Sequence, residues 1–188
     1  MQMRRTPDAT TREILSRLQD RVLGLATIHR TLYESQDVGR VNAARLLREI
    51  VAQQSVASGA GTDLETKLDL EDLELLPDQA VPLSLLTSEA LANALSNAAP
   101  GENGKPWVAV SLRREAEDMV CLEIANSAAT ENGDATTMRP RAQGLGTNLI
   151  QAFAAQLGGP SETRHELGVY KLSTRFPVRE MQYDPQDY

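Results

Sequence analysis

The chain has 188 residues, 26 acidic against 19 basic, with one Cys, one Trp, two Phe and two His. That length suits one core plus an appendage, and a net charge of −7 with 4% aromatic residues argues against a nucleic-acid binder. Two His without C-x-x-C, H-E-x-x-H or G-x-S-x-G motifs exclude the common zinc sites and serine hydrolases.

Residues 1 to about 57 read as helix. Thr10 or Thr11 can cap a run in which Ile14, Leu18, Val22, Leu25, Ile28 and Leu32 recur at heptad-like spacing. A helix with that apolar seam needs partner helices from this chain or another copy. Asp37-Val38-Gly39 breaks it, and Asn42 is the expected N-cap of a second helix that buries Leu46, Leu47, Ile50 and Val51. Ser58 to Thr62 is the expected linker.

Beyond it the pattern changes. Leu68 and Leu70 alternate with charges as in a half-buried strand, with Leu73 to Leu76 as a candidate partner and Asp78-Gln79 as a turn. Pro82 is expected to open a helix reaching about Ala99. Alternation predicts strands at Trp107–Leu112 and Val120–Ile124, the latter carrying Cys121 as a small core residue that suits a reducing cytoplasm. Residues 127–143 are polar and patternless, a candidate lid. A helix from Thr147 to Leu157 and two closing strands, near Ser161–His165 and Val169–Phe176, follow. The tail after Pro177 is expected to be disordered. Nothing approaches the ~20 apolar residues of a membrane span, and no charged-then-apolar leader opens the chain. The fold class expected is α+β, an antiparallel or mixed sheet with helices on one face.

Three features bear on chemistry. Glu89, Asn93 and Asn97 fall at i, i+4 and i+8, a polar stripe on a Leu/Ala-rich helix; a solvated face is the bland alternative. Gly144-Leu145-Gly146-Thr147 precedes a helix, where backbone N–H groups and the helix dipole favour phosphate, although a plain turn gives the same pattern. The 127–143 segment leads into it.

Together the segments PLSLLTSEALANALSNAAP, LEIANSAAT and QGLGTNLIQAFAAQLGG, with a terminal strand ending RFP, resemble the ATP-binding domain of GHKL-type sensor histidine kinases of the HWE-related group. They stand where that family has its N box and two glycine boxes. The upstream RVLGLATIHRTLYESQDVGRVNAARLLREIV is similar to that group's second dimerisation helix and connector. The resemblance implies a two-layer α/β sandwich of the Bergerat type over residues 62–178. A partial dimerisation segment over 1–57 would precede it, and a tail over 179–188 would follow.

It also implies roles. Asn93 would ligate the Mg²⁺ that bridges ATP phosphates. Glu89 would orient or deprotonate the attacking group. Asn97 would lie near the nucleotide, and Gly144, Leu145, Gly146 and Thr147 would cradle phosphates. Asn126 stands at the adenine-reading Asp, Ala128 and Thr130 replace glycines, and Ser96 replaces a frequent Lys. At about 1–2 kcal/mol each, these departures lower nucleotide affinity by one to several decades.

His29 has the bland reading of a packing residue near a helix end, because Arg30 rather than an acid follows it. The family's phosphoacceptor segment is absent, so no phosphoacceptor is expected in this chain, which reads as one beginning just past that helix. The expected function is γ-phosphoryl transfer from MgATP to a histidine on a dimerisation helix of the same kinase. Relay to an Asp of a response regulator would follow, in a cytoplasmic homodimer without nucleic-acid or membrane partners. The alternatives are a degenerate fold that serves as a phosphotransfer or docking scaffold, and a small anti-sigma-type serine kinase, against which the dimerisation-like helices speak.

Overall fold

The computed structural model describes residues 39–58, 64–100, 104–128 and 145–179. The seam from Ile14 to Leu32, His29, most of the linker, Thr130 with nearly all of the 127–143 segment, Gly144 and the tail beyond Arg179 lie outside these residues.

Strand β1 (Val41–Asn42) leads into helix α1 (Ala43–Ala57). Asn42 caps it as expected, its side chain accepting from the Arg45 N–H at 2.8 Å. Leu46, Leu47, Ile50 and Val51 are buried. They enter one core with the apolar face of helix α2 (Pro77–Asn97) and the sheet. Strand β2 (Glu65–Leu70) is mostly exposed, with Leu68 at 43%, because it is an edge whose apolar side the helices leave largely open. Strand β3 (Glu74–Leu75) pairs antiparallel with β1 rather than with β2. This tie, with the Ala43 N–H on the Leu73 carbonyl at 2.9 Å, joins the start of α1 to the start of α2.

Helix α2 starts earlier than expected. Pro77, not Pro82, occupies the first turn, where a missing N–H costs nothing. Asp78 and Gln79 are therefore helical rather than a turn, and Pro82 lies inside the helix. Asp78 suits the positive helix start, and Gln79 is fully buried. The Gln79 amide donates to the Pro177 carbonyl at 2.6 Å and accepts from the Arg179 N–H at 2.8 Å. The Arg179 guanidinium adds bonds to Asp78 and to the Gln156 carbonyl, both at 2.8 Å. Val178 and Arg179 are thus fixed, and the ordered chain runs past Pro177.

Strands β4 (Trp107–Arg114), β5 (Met119–Ser127), β6 (Ser161–Glu166) and β7 (Val169–Pro177) complete a five-stranded sheet in the order β2-β4-β5-β7-β6. Only β2 and β4 run parallel, so the sheet is mixed. Alternation puts Val108, Val110, Leu112, Val120, Leu122, Ile124, Leu172 and Phe176 in the core shared with the helices.

The opposite face carries ion pairs: Arg113 with Asp69, Lys171 with Glu123 at 3.3 Å, and Arg175 with Glu115 at 2.8 Å. The Arg175 guanidinium holds the Glu115 carboxyl below the usual carboxylate range, and its own pKa rises in return. Among these charges Cys121 is 5% exposed, a small buried residue as expected.

Burial, reinforced by Glu115, pushes the Cys121 thiol up to about 11 from 9.0. At pH 8 the thiolate fraction is then roughly 100-fold below that of a free thiol. Cys121 is expected to stay unreactive toward a disulfide reagent until denaturant is added. Because the folded pKa lies above the unfolded one, the unfolded chain loses its proton first as pH rises. Stability on the order of 2 kcal/mol should therefore be present below pH 9 and fade between pH 9 and 11. Urea midpoints at pH 8 and pH 10.5, against Cys121→Ala, check this.

Candidate functional site

Helix α2 supplies the polar stripe. Glu89 and Asn93, one turn apart, are half-buried, and Asn93 lines a cleft with Ala90 and Ala94. Asn97 lies at the exposed end, and its Nδ2 donates to the Asn93 carbonyl at 2.6 Å. That back-bond commits the Asn97 amide to the backbone of its own helix. Ser96 is exposed and makes the same kind of bond, its hydroxyl donating to the Ala92 carbonyl at 2.8 Å.

Strand β5 supplies Asn126. Its side chain is 1% exposed, and its Nδ2 donates to the Ser127 carbonyl at 2.9 Å. Its Oδ1 is buried without a hydrogen-bond partner. A buried acceptor in that condition costs about 1–3 kcal/mol unless something donates to it. Because Nδ2 is held by Ser127, the amide orientation is set and the acceptor side is the open one. Asn126 lies opposite Val108 on β4, a core residue, so its side chain is on the helix-covered face.

Helix α3 (Leu145–Leu157) begins at Leu145, two residues before the expected start. Leu145 and Gly146 therefore belong to the first helical turn rather than to a preceding loop. Gly146 is buried, and Thr147 is exposed and lines the cleft. The first N–H groups of a helix lack intrahelical acceptors, so this turn presents backbone donors.

The cleft between α2, α3 and the sheet has a volume of about 80 Å³. Ile124 and Leu172 form its apolar floor, with Thr163 and Tyr170 as polar lining beside them. Burial pushes the Tyr170 phenol up, partly offset by a hydrogen bond from the Thr163 hydroxyl. The sequence reading did not single out Tyr170 or Thr163. The alternation of Tyr170, Leu172, Thr174 and Phe176 would have put Tyr170 on the core face, but only the β5–β7 register puts it opposite Asn126. His165, exposed on β6, is opposite Tyr170 on its other side.

The comparisons with known proteins bear on this architecture. A family model described as histidine kinase matches residues 1–57. The structure superposes with a TM-score of 0.71 on the histidine kinase domain of the Erythrobacter litoralis EL346 blue-light activated histidine kinase. This is a histidine kinase fold. The two share 16% identity, over 87% of this chain and 80% of that domain. This chain spans 54% of a longer chain of the same kinase. The mycobacterial sensor histidine kinase MprB matches at a TM-score of 0.58 and 14% identity, over 76% of this chain and 98% of that one. The Acinetobacter baumannii histidine kinase AdeS matches at 0.58 and 15%, over 93% and 87%.

No curated protein matches the chain by sequence. The family match over residues 1–57 and the structural likeness both lie with histidine kinases, as the motifs implied, and the fold is of the α+β class of those catalytic domains. Among the described residues of this histidine kinase fold, no helix is long and apolar enough to cross a membrane, and no three His, Cys, Asp or Glu side chains gather as a metal site.

Proposed function

We propose that the chain is the catalytic portion of an HWE-like sensor histidine kinase. Residues 62–178 would form the ATP-binding unit, with α1 packed on it and 1–57 as the dimerisation connector. The reading rests chiefly on the Asn126 oxygen, a buried acceptor without a donor on the helix-covered face that also floors the Asn93 cleft. An acceptor whose amide is locked in orientation suits the exocyclic amine of adenine.

Asn93 offers a neutral amide oxygen to Mg²⁺. Among the described residues no three acidic side chains gather beside it, so the phosphates would carry the balancing charge. The first-turn N–H groups of α3, from Leu145 to Thr147 with Gly144 before them, receive phosphate oxygens. Bound MgATP supplies the γ-phosphoryl group and the charge-neutralising metal. Glu89, one helical turn from Asn93, would orient the acceptor imidazole and take the proton of its non-attacking nitrogen on a carboxylate oxygen, as the N–P bond forms, the bond from the γ-phosphorus to the bridging oxygen breaks and ADP leaves. Asn97 borders the nucleotide from the end of α2. The acceptor histidine comes from a dimerisation helix of the same kinase in a homodimer, His29 not being that residue. A response-regulator Asp receives the group afterwards, in the cytoplasm.

A second reading, a scaffold that has lost nucleotide, draws on the cleft volume of about 80 Å³, below the roughly 300–1,000 Å³ of small-molecule sites. Calorimetric titration with Mg-ADP separates the two. Micromolar binding that falls roughly 100-fold in Asn93→Ala, about 2.7 kcal/mol, is the expected result. A folded wild type that ignores millimolar nucleotide would leave the scaffold.

A further inference from the structure

Strand β5 ends at Ser127, whose side chain alternation sends to the face opposite that of Asn126. Ser127 is 1% exposed, and its hydroxyl and carbonyl tie three segments together. The hydroxyl donates to the Ala99 carbonyl at 2.6 Å and accepts from the Trp107 N–H at 2.9 Å. The Trp107 carbonyl, at 3.4 Å, is the poorer acceptor for the single hydroxyl proton. The Ser127 carbonyl accepts from the Ala99 N–H at 3.0 Å and from Asn126 Nδ2 at 2.9 Å. Ser127 and Ala99 are thus joined twice, which clamps the chain leaving α2 onto the end of β5 and beside the first residue of β4.

Both acceptor positions of the Ser127 carbonyl are used, one to anchor it and one to hold the Asn126 amide. Turning that amide over would set Oδ1 against the carbonyl oxygen, acceptor to acceptor, and leave Nδ2 buried with no acceptor. Oδ1 is therefore the group kept open, buried and without a donor. An open acceptor takes the exocyclic amine of adenine, whereas a purine with an oxo group in that place sets oxygen against oxygen.

We propose that Ser127 is a positioning residue for base selection: clamped through its hydroxyl, it holds its own carbonyl so that Asn126 offers oxygen to an aminopurine and refuses an oxopurine. This role rests on the nucleotide reading above and adds to it the group that makes a neutral amide selective. An unclamped Asn126 amide offers oxygen or nitrogen with equal ease and so discriminates poorly between the two bases. Loss of the hydroxyl also leaves the Ala99 carbonyl and the Trp107 N–H each without the bond that it made to them.

The test is calorimetric titration with Mg-ADP and with Mg-IDP, whose hypoxanthine base carries an oxygen in place of the adenine amine. Wild type, Ser127→Ala, Ser127→Cys and Ser127→Thr are compared, each first shown to melt cooperatively by circular dichroism. Wild type should prefer Mg-ADP by at least about thirtyfold, and Ser127→Ala by less than about fivefold. Ser127→Cys keeps most of the volume but cannot make the short bond to Ala99, so it should match Ser127→Ala and serves if that variant does not fold. Ser127→Thr keeps the hydroxyl and should keep the wild-type ratio. A merely structural residue would weaken both nucleotides alike and leave the ratio unchanged. Wild-type preference retained in Ser127→Ala or Ser127→Cys overturns the clamp and leaves the nucleotide reading standing. So does a wild type that binds both nucleotides equally, or a Ser127→Thr ratio that falls with the others. Folded proteins that all ignore both nucleotides at millimolar concentration sink the clamp and the nucleotide reading together.

Discussion

Gly159→Ala is expected to lower stability by more than about 3 kcal/mol, enough to leave a marginal domain largely unfolded. A Cβ built at this position would overlap the Arg175 carbonyl oxygen, 2.8 Å from its carbon, and stand 3.6 Å from the Phe176 Cα. All of these are backbone atoms of β7, so no side chain can rotate aside to relieve the overlap. The turn after α3 crosses β7 this closely because the Gly158 and Gly159 N–H groups both fold back onto the Ala154 carbonyl at 3.1 Å. Gly158→Ala is the informative neighbour. There the difficulty is a φ of +100°, with the nearest atom, Pro177 Cδ, at 3.3 Å, and the expected loss is about 1–2 kcal/mol. Urea unfolding followed by far-ultraviolet circular dichroism ranks the two. A Gly159→Ala protein as stable as Gly158→Ala would contradict the close approach.

Phe176→Ala should cost about 3–5 kcal/mol. The ring is fully buried and heads the largest side chains of the core, opposite Val120 on β5. Removing it leaves a cavity between sheet and helices that neighbouring side chains only partly fill. Phe176→Leu keeps most of the volume and should lose less than about 1.5 kcal/mol. The same urea transitions measure both, and a constant slope with denaturant would show that the native and unfolded states are otherwise unchanged. Gly159 and Phe176 meet at the end of β7, so their effects should not add.

What the sequence disclosed follows the range of the forces involved. The strands carrying Val108, Val110 and Leu112, and Val120, Leu122 and Ile124, were legible because period-2 burial is written locally. The Asn42 cap was legible for the same reason, since cap and helix are neighbours in sequence. Leu73 to Leu76 went astray because pairing with Val41–Asn42 spans more than a helix of intervening chain, which no local pattern encodes. Pro82 misled because two prolines competed for one helix start, and the core contacts of Gln79 and Ala80 settled it in favour of Pro77.

At the candidate site, spacing alone put Glu89, Asn93 and Asn97 on one helix, and the motif resemblance singled out Asn126. It could not show that the Asn126 amide nitrogen is held by Ser127 while its oxygen stays without a partner. Nor could it show Tyr170 beside Asn126, which depends on strands 44 residues apart aligning in one register.

The strand order carries a consequence for biosynthesis. β6 pairs only with β7, and β7 is inserted between β5 and β6 although it follows both in the chain. While residues 169–177 are still inside the ribosome, β5 presents an open edge and β6 has nothing to pair with. The half of the sheet beneath the cleft, with Tyr170 facing Asn126, is therefore a late product of translation. A nascent chain released before Val169 would expose the β5 edge to other polypeptides, a form of the molecule for chaperones to hold.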